Sequence, residues 1–186
     1  MTLWADADSL PREVKDLIGR RAGSSNSDFP IRAVFVANRL LPLPPGKNLQ
    51  AVIVGPAGAS ALASSTTTGA TKGNAKKPAK GVADWDNADD YIMAAAVPGD
   101  ILVTRDIPLA ARAVAQGLVA LNDRGVLWSS DSVRERLSVR DHMASLREMG
   151  LAPASGRSRG FGPKDVRAFA DALDKAVRAS IMAQGK

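Results

Sequence analysis

The sequence predicts an α/β fold, a three-layer sandwich with a mostly parallel central sheet. Three observations carry this expectation. Short apolar runs alternate along the chain with longer stretches of helical periodicity, the pattern of strands joined by crossover helices. The run Ile101-Leu102-Val103-Thr104 shows no polar–apolar alternation, as expected of a strand covered on both faces. With 186 residues, 45% of them hydrophobic, the chain can bury a sizeable core as one domain, 1–186.

Residues 2–6 (Thr-Leu-Trp-Ala-Asp) read as the first strand. Ser9 is expected to cap a helix with Pro11 in its first turn, where a missing N–H costs nothing. That helix runs to about Arg21, with Val14, Leu17 and Ile18 inward. Gly23–Asp28 is small and polar, hence a loop. Ile31–Ala37 is a second strand, ending at Asn38, and Leu49–Val54 is a third. Pro42, Pro44, Pro45 and Gly46 keep the stretch between them irregular. Residues 55–81 are Ala, Ser, Thr and Gly followed by lysines, too poor in large apolar side chains to offset the cost of ordering. They are expected to form a flexible low-complexity insertion at 56–82.

Asp86 is expected to cap a helix containing Ala88, Ile92, Met93 and Ala96, which Pro98-Gly99 ends. Ile101–Thr104 is the fourth strand, with Asp106 following. Pro108 opens the next helix, which runs to Gln116 with Gly117 as its C-terminal stop. Leu118–Leu121 is a fifth strand, residues 122–125 a turn, and Val126–Trp128 a short edge strand. A charged helix over Asp131–Met149 should point Val133, Leu137, Met143 and Leu146 inward. A basic glycine-rich loop, Gly150–Gly162, leads to a C-terminal helix at 163–183 with Val166, Phe169, Ala170, Leu173 and Val177 on its apolar face.

Composition excludes several chemistries. There are no cysteines and one histidine, His142, so disulfides, thiol nucleophiles and zinc sites needing two or more imidazoles are out. No apolar run reaches membrane-spanning length. The amino-terminal residues lack the basic and apolar segments of a secretory signal, so a cytoplasmic location is expected. The net charge of +6 is uneven: residues 81–150 carry 11 acidic and 7 basic side chains, and residues 151–186 carry 3 acidic and 7 basic. Basic segments attract polyanions, whereas grouped carboxylates call for a cation.

In open parallel sheets, sites form beyond the carboxyl ends of the strands. Asp6 ends the first strand, Asn38 the second, and Asp106 follows the fourth. Asp6 and Asp8, two residues apart, would project to one side of an extended chain, roughly 6–7 Å apart. Asp86, Asp89 and Asp90 sit where a helix begins. There Asp86 suits a cap, Asp90 a solvated first-turn acid, and any of them could face the cluster. Asp106 beside Pro108 reads equally as a cap or a site acid. Convergent carboxylates repel unless protonated or bridged, and an all-oxygen donor set favours Mg²⁺ or Mn²⁺. His142 reads as a surface residue.

Several motifs together resemble the YaiI/YqxD family of bacterial proteins: Asp6-Ala7-Asp8-x-x-Pro11, Ala88-Asp89-Asp90-Tyr91-Ile92, Pro98-Gly99-Asp100 through Thr104-x-Asp106-Ile107-Pro108-Leu109-Ala110, Leu121-Asn122-x-Arg124-Gly125, and Arg134-Glu135-Arg136-Leu137-x-x-Arg140-Asp141. The likeness covers nearly the whole chain outside 56–82. Two departures stand out. Asp8-Ser9-Leu10-Pro11 replaces an Asp-Ala-Cys-Pro run, which argues that no thiol chemistry is required, and Asn122-Asp123-Arg124-Gly125 replaces Asn-Pro-Arg-Gly. The family is in turn similar to PIN-like nuclease domains, whose pattern of strand-end acid, Asp-x-x-Ile helix and Thr-x-Asp matches Asp6, Asp89-x-x-Ile92 and Thr104-x-Asp106. That resemblance implies a PIN-like fold and a divalent-metal-dependent nuclease or phosphodiesterase acting on RNA. Asp6, Asp89 and Asp106 would be catalytic and hold Mg²⁺ or Mn²⁺, with Asp8 as a further ligand. Arg105, Arg136 and Arg140, with Asn38, would contact substrate. The alternatives are a non-catalytic nucleic-acid-binding or protein-interaction module and, through Asp6-x-Asp8, a haloacid-dehalogenase-type phosphatase. The latter is disfavoured because Asp89-Asp90 precedes a helix rather than following a strand.

Overall fold

In a computed structural model of the chain, which describes residues 1–24, 29–39, 48–54, 85–151 and 160–184, the strands and helices alternate. They are β1 (Thr2–Asp6), α1 (Arg12–Gly23), β2 (Arg32–Ala37), β3 (Leu49–Ile53), α2 (Ala88–Ala95), β4 (Ile101–Val103), α3 (Ile107–Ala115), β5 (Val119–Leu121), α4 (Ser130–Glu148) and α5 (Pro163–Gln184). The expected insertion at 56–82, the proline stretch at 42–46 and most of the basic loop lie outside the described residues. The five strands form one all-parallel sheet in the order β3-β2-β1-β4-β5. β1 is therefore the central strand, in register with β2 (Trp4 opposite Val34) on one side and β4 (Trp4 opposite Leu102) on the other.

Side chains alternate across the sheet as the period of two requires. Leu3, Ala5, Phe35, Ile101 and Val103 pack with Val14 and Ile18 of α1 and with Phe169, Leu173 and Val177 of α5. Trp4, Val34, Val36 and Leu102 point the other way, against Ile92 of α2, Leu109 and Ala113 of α3, and Val133 of α4. This is the expected three-layer sandwich. Each large side chain fully buried in it contributes about 1.5–3 kcal/mol. On the second face, Tyr91 meets the edges of both Trp4 and Trp85, with ring centroids 6.4 and 6.2 Å apart. This aromatic trio seats the start of α2 on the sheet.

Several local expectations are corrected. Ser9 does not cap α1: Pro11 occupies that position without a side-chain hydrogen bond, and the Ser9 hydroxyl is engaged elsewhere. Asn87, not Asp86, caps α2, its side chain accepting from the Asp90 amide at 2.8 Å. Residues 126–128 form no strand. Leu127 makes a single antiparallel bridge to Leu121, because the Asn122 side chain takes the amides of Arg124 and Val126 into a tight turn. Along α4, Val133 is buried and Leu137 packs against the core. Met143 and Leu146 are only half-buried and Val139 is exposed, since the later turns of the helix run past the edge of the apolar layer.

Two features of the recognised motifs are structural. Asp100 is 3% exposed and accepts three hydrogen bonds, from the Thr2 amide (2.7 Å), the Trp4 indole (3.0 Å) and the Val97 amide (3.2 Å). It ties the beginnings of β1 and β4 together. Gly125 has φ +78°, and a Cβ there would lie 2.5 Å from the Ala168 carbonyl oxygen of α5. The turn and α5 therefore approach as closely as backbones allow, which a glycine alone permits.

Asp100→Ala leaves the buried Trp4 indole and two part-buried backbone amides without an acceptor and is expected to cost about 2–3 kcal/mol in urea unfolding. Gly125→Ala combines a left-handed backbone with a backbone clash and is expected to lose about 2–4 kcal/mol by the same measurement. An effect below about 0.5 kcal/mol for either would mean that the contact is not made.

Candidate functional site at the strand ends

The strand order reverses beside β1. The chain leaves β1 for β2 and β3 on one side, then returns to β4 and β5 on the other. The crevice between the carboxyl ends of β1 and β4 is thus the topological switch point, where ligands bind in sheets of this kind. Asp6 closes β1 there, and residues 104–106 leave β4 there.

Two side chains bind these strand ends together. Thr104, fully buried, donates its hydroxyl to Asp6 Oδ2 at 2.7 Å and accepts the Asp106 amide at 2.9 Å. The Ser9 hydroxyl donates to the Asp6 carbonyl (3.3 Å) and accepts the Arg105 amide (3.2 Å). Asp106 occupies the cap position of α3 but makes no side-chain cap bond, so its carboxylate is not used up by the helix. Asp6 is 5% exposed, and among the described residues Thr104 is the one hydrogen-bond donor to its carboxylate.

Asp89 and Asp90 are neighbours with opposite fates. Asp90 accepts the Arg112 guanidinium at 2.7 Å and the Asn87 side-chain amide at 3.0 Å. These two bonds hold its carboxyl below the usual range, the arginine having the larger effect. Asp89 faces the cluster. Its pKa is pushed up from 3.8 to about 6, chiefly by burial, then by the charges of Asp6 and Asp106, with Arg112 opposing. The carboxylates of β1, α2 and the β4–α3 loop therefore feel one another across the switch point.

Asp8 stands apart. The chain turns directly after Asp6, with the Ser9 amide bonding back to the Asp6 carbonyl at 3.3 Å, so the two acids do not continue one extended strand as expected. Asp8 Oδ2 accepts the Asn38 backbone and side-chain amides (2.6 and 3.1 Å), and Oδ1 accepts Arg39 Nε (3.2 Å). Asn38 in turn accepts the Ala88 amide at 2.9 Å, linking the end of β2 to the first turn of α2. Arg105 is more than half exposed and pairs with the buried Asp123 (Nε–Oδ2 3.5 Å), the residue that stands where the motif's proline would be. Arg136 and Arg140 are exposed on α4 and make no ion pair among the described residues.

Sequence reasoning gave no site role to three residues at this end, reading Ser9 only as a helix cap and Thr104 only as part of a motif. Thr104 and Ser9 are polar side chains at strand exits, a signal that was present. Lys15, whose ammonium donates to the Ala7 carbonyl at 3.2 Å, sits one turn into α1 and carries no such signal. The donor set at the switch point is all oxygen, which suits a hard cation. Among the described residues no three or more carboxylate or imidazole side chains are grouped so that they could hold a metal ion between them. Mg²⁺ does not require such a group: it retains waters and takes one or two carboxylates plus substrate phosphate oxygens.

An α/β/α sandwich with acids at its switch point defines a broad class of ligand-binding and hydrolytic domains. Within it, the chain belongs to the YaiI/YqxD family: the model described as "Uncharacterized BCR, YaiI/YqxD family" matches residues 71–179. The UPF0178 protein of Bordetella bronchiseptica is 37% identical over 185 residues, covering 100% of this chain and 95% of that one. The UPF0178 protein of Geobacter sulfurreducens is 37% identical over 94% of each chain, and that of Myxococcus xanthus 36% identical over 100% of each. No solved structure gives a significant match. No helix among the described residues is long and apolar enough to cross a membrane.

The raised pKa of Asp89 has a consequence for stability. Between about pH 4 and pH 6 the unfolded chain releases this proton while the folded chain keeps it. Stability therefore falls as pH rises through that window and stays lowered above it. In EDTA, Asp89→Asn is expected to be more stable than the parent by roughly 1–2 kcal/mol at pH 7.5, a value reduced for solvent screening at a half-buried site. The gain should vanish at pH 4. A gain equal at both pH values in chemical unfolding would refute the raised pKa.

Proposed function

We propose that this chain is a divalent-cation-dependent nuclease or phosphodiesterase acting on RNA, centred on Asp6, Asp89 and Asp106. The observation that supports the reading is that the charges of Asp6 and Asp106 help to raise the pKa of Asp89, while the buried Thr104 links Asp6 to the Asp106 amide. The likeness of Asp6, Asp89-x-x-Ile92 and Thr104-x-Asp106 to PIN nuclease motifs supplies the substrate class.

Asp6 and Asp106 would be the anchoring ligands for Mg²⁺ or Mn²⁺, because Thr104 bonds to the Asp6 carboxylate and to the Asp106 amide. Asp89 comes from the first turn of α2, on the same face of the sheet as α3, and a bound cation would relieve its repulsion from the other two. A bound cation supplies an acidified water and charge neutralisation at the phosphorus. Asp8 acts one step out by holding Asn38, which in turn orients the first turn of α2. Arg105 supplies a phosphate contact from the loop between Thr104 and Asp106, and Asp123 limits its swing. Arg136 and Arg140 are further phosphate contacts along α4 for a longer strand. The net charge of +6 assists encounter with a polyanion.

The test is incubation with labelled RNA and with a generic phosphomonoester, in Mn²⁺ or in EDTA. RNA cleavage that needs Mn²⁺ is expected, reduced at least about 100-fold by Asp6→Asn and by Asp106→Asn, with circular dichroism verifying that both variants fold. Phosphomonoester turnover instead would favour a phosphatase. RNA binding without cleavage, unchanged in Asp6→Asn, would leave only a non-catalytic binding module.

A further inference from the structure

At the β5 edge of the sheet, far from the carboxylates along the strands, a groove of about 580 Å³ runs between the edge and α5. Val119 and Leu127 form one wall. Ala176 and Ala179 of α5, with further alanines one turn to either side, form the floor. Leu127 is 55% exposed although large and apolar, and Ala179 is exposed as well. Ala176 is buried in the core and Ala172 lies under the Gly125 turn, whereas nothing packs over the exposed Ala179, where the groove stands open.

Two polar groups break the apolar lining. Ser180 is 4% exposed, lines the groove, and its hydroxyl has no hydrogen-bond partner. A buried hydroxyl left unpaired costs about 1–3 kcal/mol, so this one is set up to pair with something that enters. Lys175 is exposed on the groove's rim and makes no ion pair among the described residues. Five residues apart, the two are offset by about 7.5 Å along α5 and about 140° around it, and both line the groove. An apolar groove with one or two convergent polar groups has the character of a small-molecule site.

We propose that this groove binds an amphipathic carboxylate, its alkyl body along the alanine floor and its head group held by the Ser180 hydroxyl and the Lys175 ammonium. The cation on the rim selects an anionic head, and the hydroxyl supplies the donor that the head's oxygens need. The open wall at Leu127 gives the alkyl chain an apolar cover on its second side. The site lies apart from Asp6, Asp89 and Asp106, and does not depend on what they do.

The test is isothermal titration of the full chain with dodecanoate below its micellar concentration, with dodecanol as the uncharged probe. Saturable one-to-one binding of dodecanoate is expected, at least fivefold tighter than dodecanol. Lys175→Gln should remove that preference, and Ser180→Ala should weaken binding about threefold or more. Ala179→Leu fills the groove from an exposed position and should abolish binding with thermal stability unchanged. No saturable heat, equal affinity for both probes, or undiminished binding in Ala179→Leu would overturn the proposal. So would sedimentation as a dimer that Ala179→Leu splits, which would make the groove a seat for a second copy.

Discussion

The hydrogen bond from Thr104 to Asp6 is the constraint on which the upper end of this molecule depends. It joins residues 98 positions apart in sequence across the one place where the sheet changes direction. Asp6 ends the central strand, so its carboxylate is flanked by structure on both sides. Thr104 both donates to Asp6 and accepts the amide of Asp106, which fixes the start of α3 relative to β1. Ser9 repeats the stitch with backbone groups. The gap between β1 and β4 thus has a fixed width, and only the arrival of α2 brings in the third carboxylate.

How α2 is held explains why two adjacent aspartates differ so much. Its first turn is gripped from both sides. Asn38 takes the Ala88 amide, Asn87 takes the Asp90 amide, and Arg112 of α3 takes the Asp90 carboxylate. Beneath it the Trp4–Tyr91–Trp85 edge contacts prevent the helix from backing away. Asp90 gains from this arrangement, and Asp89 bears its cost as a half-buried acid facing two others. Such uncompensated repulsion, kept in place by well-satisfied neighbours, is how folded proteins sustain a reactive or ligand-seeking site.

Much of this was legible in the sequence, for identifiable reasons. β1, β2 and β3 have boundaries within a residue or so of the expected ones because a buried parallel strand reads as an uninterrupted apolar run bounded by polar or breaker residues. That Asp6 and Asp106 lie at one edge of the sheet followed from the rule that strand exits share it, whereas Asp89, in the first turn of a helix, was singled out by the motif resemblance. What failed was local. Asp86 and Asn87 are both good caps, and only the chain's entry angle, set by Trp85 on the sheet, selects Asn87. Asp8 was expected beside Asp6 on the assumption of an extended chain, whereas the turn at Ser9 sends it toward Asn38. The inward face of α4 was overread because helical periodicity says which side is apolar but not how far the partner surface extends. The groove beside α5 carries little sequence signal: alanines and a serine at helical spacing look the same whether they meet a neighbour or open space.

The central position of the first strand also bears on how the chain is made. β1 needs β4 on its second side, and β4 begins about a hundred residues later in synthesis. At ordinary translation speeds of 5–20 residues per second, β1 has an open edge for roughly 5–20 s after it emerges. Its partner on the other side, β2, is available almost at once. The nascent chain therefore starts from a β1–β2–β3 half-sheet whose exposed border is the future crevice of the switch point. Closing that border late is inexpensive in loop entropy, since the cost grows only with the logarithm of the intervening length. A change of length between β3 and α2 therefore costs little in closure entropy, whereas a ribosome stalled before residue 104 would present the bare edge of β1 to other chains.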